Sequence, residues 1–171
     1  MNEQSAVSIA SPRRRTRTVN SGGVPVGSEH PVVIQSMLNT DSRDPDACLG
    51  QIEALAAAGC EIVRLAVPDE QAARALPEII ERSPLPLVAD IHFSSRLALM
   101  AVESGIHGLR INPGNIGGEK RVDAVVKAAM SAGIPIRIGV NSGSVEKKLL
   151  KRYGGPTPEA MVESALGHVR L

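Results

Sequence analysis

Aromatic residues are almost missing from this chain: Phe93 and Tyr153 stand alone, and no tryptophan occurs in 171 residues. Stacking platforms for bases are therefore excluded, and a nucleic-acid module with them. Net charge is also scarce. Lys and Arg total 19 against 18 Asp and Glu, so no global field draws the chain to nucleic acid or to a membrane surface, and any anion site has to be local. Cysteine is limited to Cys48 and Cys60, whose spacing fits neither a CxxC pair nor a disulfide framework. Those two alone build no iron or zinc site. No apolar run approaches the roughly 20 residues of a membrane helix, and the polar first residues hold no signal-peptide core. These absences make the cytoplasm the expected compartment, with neither membrane nor nucleic acid as a partner.

What is present is a regular alternation. Residues 1–15, "MNEQSAVSIASPRRR", are polar and aperiodic and read as a mobile tail, with Arg13, Arg14 and Arg15 a solvated basic run. "TRTVNSGGVPVGSEH" alternates about Ser21-Gly22-Gly23, which predicts a short hairpin placed to cap the bottom of a barrel. From Pro31 onward β-type runs alternate with helix-like segments: "PVVIQSM", "EIVRLAV", "PLVADIHF", "GLRIN" and "PIRIGVN" are each followed by a helical stretch. That order predicts right-handed βαβ units and a parallel sheet, so residues 16–171 are expected to form one α/β unit.

Helix boundaries have local causes. Asp44 caps the first helix with Pro45 at its first position, and Thr157-Pro158 repeats the device in the last. Gly59, Gly105 and Gly133 each follow a helical run, where a left-handed residue closes the helix. Val122, Val125, Val126 and Ala129 share one helix face and should pack on the sheet. Pro77 falls inside "DEQAARALPEIIERS" and predicts two short helical pieces there.

The polar residues gather at the C-terminal ends of the β-type runs. Strand side chains alternate, so Arg110 and Asn112 project from one face, as do Asp90 and His92, Arg137 and Asn141, and Gln35 and Asn39; Arg64 lies in the second strand. A doubly wound sheet concentrates its site at one switch point, whereas here every strand contributes. A TIM-type (β/α) barrel with about five of its eight units present is the expected fold. Arg64, Arg110 and Arg137 on three strands can converge on a phosphate or diphosphate, with Asn112 and Asn141 adding amide donors and Pro113-Gly114-Asn115-Ile116-Gly117-Gly118 adding backbone N–H groups. The plainer alternative pairs each arginine with an acid, Asp90, Glu61 or Glu103. His92 reads either as a general acid or as an oriented core histidine; its place beside Asp90 favours the first, and the two form the expected catalytic pair. His30, His107 and His168 read as structural, Cys48 and Cys60 as small core fillers.

In their order, "VIQSMLNT", "VADIHF", "LRINPGNIG", "IPIRIGVNSGS" and "KRYGGPTPEA" resemble successive signature segments of the bacterial 4-hydroxy-3-methylbut-2-enyl diphosphate synthase family of non-mevalonate isoprenoid biosynthesis, from about Thr16 to the last residue. The resemblance implies a TIM barrel followed by a smaller iron–sulfur domain, and reductive ring opening of 2-C-methyl-erythritol 2,4-cyclodiphosphate. It implies electrons from a ferredoxin or flavodoxin, and a homodimer when full length. By motif, Arg64, Arg110 and Arg137 would hold the diphosphate, Asn112 and Asn141 would add contacts, and Asp90 and His92 would line the pocket near the hydroxyls. The family holds a [4Fe-4S] cluster on three cysteines and a glutamate of its C-terminal domain. That ligand set is absent from these residues, so no metal ligand is expected here, the iron–sulfur domain is expected to be absent, and the chain alone is expected to be inactive. Two other readings stay open: a pterin-diphosphate transferase barrel resembling dihydropteroate synthase, and a noncatalytic assembly fragment.

Overall fold

The computed structural model describes residues 14–170. Residues 1–13, most of the expected tail, lie outside the described part. A hairpin opens the fold, with β1 (Val19–Ser21) antiparallel to β2 (Val24–Val26) around Gly22 and Gly23 at φ 58° and 94°. Five parallel strands follow in sequential order: β3 (Gln35–Met37), β4 (Ile62–Ala66), β5 (Leu87–Ile91), β6 (Gly108–Ile111) and β7 (Ile136–Ile138). Helices α1 (Pro45–Ala57), α2 (Glu70–Arg82), α3 (Ser95–Glu103) and α4 (Glu119–Ala132) make the crossovers. A 3-10 turn (Ser142–Ser144), α5 (Lys147–Tyr153) and α6 (Pro158–Val169) follow β7.

Strands neighbouring in sequence are neighbours in the sheet, the order of a barrel wall rather than of a doubly wound sheet. The sheet also curls. Arg137 Nη1 on the last strand donates to Gln35 Oε1 on the first at 3.0 Å, across a span no flat five-stranded sheet allows. This is a partial TIM-type barrel with an N-terminal hairpin.

Helices lie on the convex face. Val63, Leu65, Leu87, Ala89, Ile91, Leu109 and Ile111 share the parity that points there, and they form one buried cluster with Ile52, Leu76, Ile79, Val122, Val125 and Ala129. Each fully buried aliphatic side chain contributes about 1.5–3 kcal/mol. The caps follow the sequence expectation: Asp44 accepts from Ala47 N–H at 3.0 Å, Thr157 accepts from Ala160 N–H at 3.3 Å, and Gly133 closes α4 at φ 67°.

Pro77 does not divide its segment. α2 runs unbroken from Glu70 to Arg82, although Pro77 can give the Ala73 carbonyl no N–H, a loss of about 3 kcal/mol. Ala72, Ala73, Leu76 and Ile79 are all buried on one face that spans the proline, so packing on the core holds both turns in line. The strands are shorter than their β-type runs; "PVVIQSM" yields only Gln35–Met37, and Val32 and Ile34 remain exposed.

The hairpin covers the N-terminal end of the strands. Ser21 Oγ donates to the His107 carbonyl at 3.2 Å, and Val19, Ser21 and Val26 enclose an apolar space of about 330 Å³ with Ile62, Val88 and Gly108. The opposite end stays open as the mouth.

Candidate anion site at the barrel mouth

Register places the site. Ala66, Asp90, Arg110 and Arg137 are paired neighbours on β4 to β7, so three polar side chains form one layer on the concave face. Arg64 stands one layer deeper, beside Met37 and Val88. Its long stem carries the guanidinium up to the polar layer.

Asp90 is the hub. It is 3% exposed, and its Oδ1 accepts from Arg110 Nη1 at 3.0 Å while Oδ2 lies 3.4 Å from Arg64 Nε and 3.3 Å from His92 Nε2. Two of the three arginines therefore take the acid-paired arrangement, both on Asp90. Glu61 is engaged elsewhere, accepting from Ile34 N–H at 2.8 Å. Arg64 is further held by Met37 Sδ, 3.1 Å from its Nη2. Arg137 has Gln35 as its partner. Two guanidinium groups, those of Arg64 and Arg110, against one carboxylate leave a local surplus of one positive charge (2 − 1) beneath the mouth.

His92, Phe93, Arg110, Asn112, Asn115 and Asn141 line a cavity of about 120 Å³ at the strand ends. Asn112 is 3% exposed; its Oδ1 accepts from Gly114 N–H at 3.1 Å, and its Nδ2 is buried with no acceptor. A buried donor left open at a basic mouth is one an anionic oxygen can satisfy. The glycine loop contributes less than its composition suggests, because Gly114 and Asn115 N–H groups are both turned inward onto Asn112. Asn141 is exposed at the rim and starts the 3-10 turn, its N–H donating to Ser144 Oγ at 3.2 Å. Thus Arg64, Asp90, His92, Arg110, Asn112 and Asn141 come together, while Arg137 turns to Gln35 and lines the space under the hairpin, away from the mouth cavity.

Gly139, which sequence reasoning passed over, belongs to this site. A Cβ there would overlap Nε, Nη2 and Cζ of Arg110, so the guanidinium lies across the Gly139 backbone. A glycine two residues after a mouth-facing arginine was the available signal. A larger cleft, about 670 Å³, lies instead between α5 and α6, where Lys148 and Arg170 are accompanied by Glu146, Glu159 and Glu163. Size does not locate the anion site; the converging cations do.

An iron–sulfur cluster does not fit the side chains present. Cys48 and Cys60 are both buried in the apolar core, burial pushes the Cys48 thiol above its ordinary value, and no group of three His, Cys, Asp or Glu suited to a metal exists among the described residues.

Fold and mouth together define a TIM-type barrel segment whose polar groups stand at the C-terminal strand ends. Residues 16–171 match the GcpE TIM-barrel domain, and the chain belongs to that family. A 4-hydroxy-3-methylbut-2-en-1-yl diphosphate synthase (flavodoxin) of Maridesulfovibrio salexigens is 64% identical over 93% of this chain and 44% of its own length. One of the same name from Geobacter sulfurreducens is 61% identical over 93% of this chain and 45% of its own. The chain thus spans less than half the length of these relatives. Among solved structures, dihydropteroate synthase of Yersinia pestis aligns with TM-score 0.55 at 13% identity over 88% of this chain and 58% of that one. The 7,8-dihydropteroate synthase of Vibrio fischeri gives 0.52 at 14% over 90% and 62%. At such identities the likeness is one of fold. No helix among the described residues is long and apolar enough to cross a membrane.

Proposed function

We propose that this chain is the substrate-binding part of a 4-hydroxy-3-methylbut-2-en-1-yl diphosphate synthase, and that its mouth holds a cyclic diphosphate for reductive ring opening in isoprenoid biosynthesis. The observation that carries the reading is the convergence of Arg64 and Arg110 on buried Asp90, with the open Asn112 amide beside them. Asp90 fixes both guanidinium groups before ligand arrives, so little ordering entropy remains to be lost on binding. Their outward N–H groups, with the Asn112 and Asn141 amides and with Arg137 once it leaves Gln35, meet the ionised oxygens of the two phosphoryl groups. His92, half exposed and oriented by Asp90, is assigned the proton supplied to the hydroxyl oxygen that leaves as water, while the ring oxygen stays on the diphosphate.

In the whole protein the electrons would come from a flavodoxin, a word the relatives' names carry, through a [4Fe-4S] centre held outside these residues. Nothing in the side chains present holds that centre, so the part proposed for this chain is binding, orientation and proton supply. A pterin-diphosphate barrel is the weaker reading, since identity to the dihydropteroate synthases is 13–14% against 61–64% to the diphosphate synthases.

Calorimetry with the cyclic diphosphate tests the cradle. Arg110→Ala and Arg137→Ala are each expected to weaken binding about tenfold or more, which is about 1.4 kcal/mol. Unchanged affinity in both variants would remove the cradle from the reading.

A further inference from the structure

α6 faces the fold with its polar side. Ala160, Ser164 and His168, spaced by four, are buried, while Val162, Leu166 and Val169 are exposed at 58%, 49% and 64%. An amphipathic helix ordinarily does the reverse. The buried side leads to the mouth. His168 Nε2 lies 3.5 Å from Glu146 Oε1, and an ideal Cβ on Gly114 would stand 3.3 Å from both His168 Nε2 and Asn112 Oδ1. The ring thus rests against the Gly114 backbone, in the turn that Asn112 closes with its own side chain.

Asn112 Nδ2, Glu146 Oε2, Ser164 Oγ and His168 Nε2 are buried and complete no well-formed hydrogen bond, and all four belong to this one contiguous region. Glu146 is nonetheless held below the ordinary carboxylate value: burial pushes it up, but the nearby Ser164 hydroxyl, its own backbone N–H, His168 and Lys148 together outweigh that. Buried polar groups that complete so few bonds lower stability, so their clustering here calls for a functional reason.

We propose that His168 is a positioning residue for the anion cradle: backed by Glu146, its buried ring holds the Asn112–Gly114 turn so that the Asn112 amide stays presented at the mouth. This rests on the cradle reading above and extends it to a helix remote from the strand ends. His168 acts through Asn112 and touches no ligand itself.

The test uses the ¹⁵N-labelled 171-residue chain, inorganic diphosphate as calorimetric probe, and the variants His168→Leu, His168→Gln and Glu146→Gln. His168→Leu is expected to shift the Asn112 side-chain and Gly114 backbone amide resonances and to weaken diphosphate binding about tenfold. His168→Gln carries an amide nitrogen near the place of Nε2 and should restore both. Glu146→Gln should move both in the same direction as His168→Leu, and it decides the matter if the leucine variant does not fold. Wild-type resonances and affinity in these variants, even with a lowered melting temperature, would reduce His168 to packing and overturn the proposal. Arg110→Ala separates the two readings. Undiminished diphosphate affinity there counts against the cradle, while the Asn112 and Gly114 resonances still decide the role of His168.

Discussion

Arg110 reaches Asp90 by crossing the bare backbone of Gly139, and that crossing makes a residue with no side chain part of the binding machinery. In Gly139→Ala the methyl group displaces the tip of a flexible side chain rather than backbone, so the melting temperature should move by only a few degrees, corresponding to about 1 kcal/mol or less. Diphosphate affinity, in contrast, should fall about tenfold, because the guanidinium loses the pose that Asp90 fixes. Calorimetry beside a melting curve checks both, and full affinity would mean that the Asp90-bound pose is not the one that binds. Strand parity was enough to put Arg110 and Asn112 on one face. Which acid Arg110 would meet was not legible, since Asp90 becomes its neighbour only through the β5–β6 register, a fact about two strands that neither strand carries alone. The setting of His168 is hidden in the sequence for the same reason: its burial beside the Asn112–Gly114 turn depends on where α6 lands.

At the level of elements, the hairpin hangs on another histidine. The His107 ring packs on Gly22, its Nδ1 accepts from Leu87 N–H at 3.1 Å, and its carbonyl accepts from Ser21. Burial holds this ring below the ordinary histidine value of 6.5, so the unfolded chain binds the proton more readily than the folded one. The stabilising contribution of neutral His107 is therefore complete above pH 6.5 and is lost as the pH falls below it through the lowered folded value. Protonation also turns Nδ1 from acceptor to donor and breaks the bond to Leu87. Thermal melts between pH 7.5 and 5 should show stability falling with acid, and His107→Asn, which keeps an acceptor that does not titrate, should flatten that dependence. An unaltered slope in the variant would assign the acid sensitivity elsewhere. Elements themselves were largely readable, since caps at Asp44 and Thr157 and the glycine after α4 are local chemistry. Pro77 predicts a break that does not form, because its penalty is local whereas the burial of Leu76 and Ile79 that outweighs it is tertiary.

At the scale of the molecule, the feature that matters most is an open wall. A barrel removes its strand edges by closing, but among the described residues β3 and β7 each have a neighbour on one side only, and the Arg137–Gln35 contact bridges the interior without pairing their backbones. Apolar groups flank both openings: Val32 and Ile34 are 79% and 57% exposed beside β3, and the outer face of α6 presents Val162, Leu166 and Val169. In a closed barrel a further βα unit would cover that α6 face, which explains why its apolar side points away from the core. The 171-residue chain by itself should therefore self-associate at micromolar to millimolar concentration, as unpaired edges and exposed apolar faces do. Sedimentation velocity across that range is expected to show concentration-dependent oligomers, and Val162→Lys with Leu166→Glu should weaken association about tenfold or more while leaving the mouth untouched. If Ile34→Lys has that effect and the α6 pair does not, the contact runs through the β3 edge instead. A chain that stays monomeric throughout would mean that the curl seen in the Arg137–Gln35 contact already shields both openings, and the open-wall account of this molecule would fall.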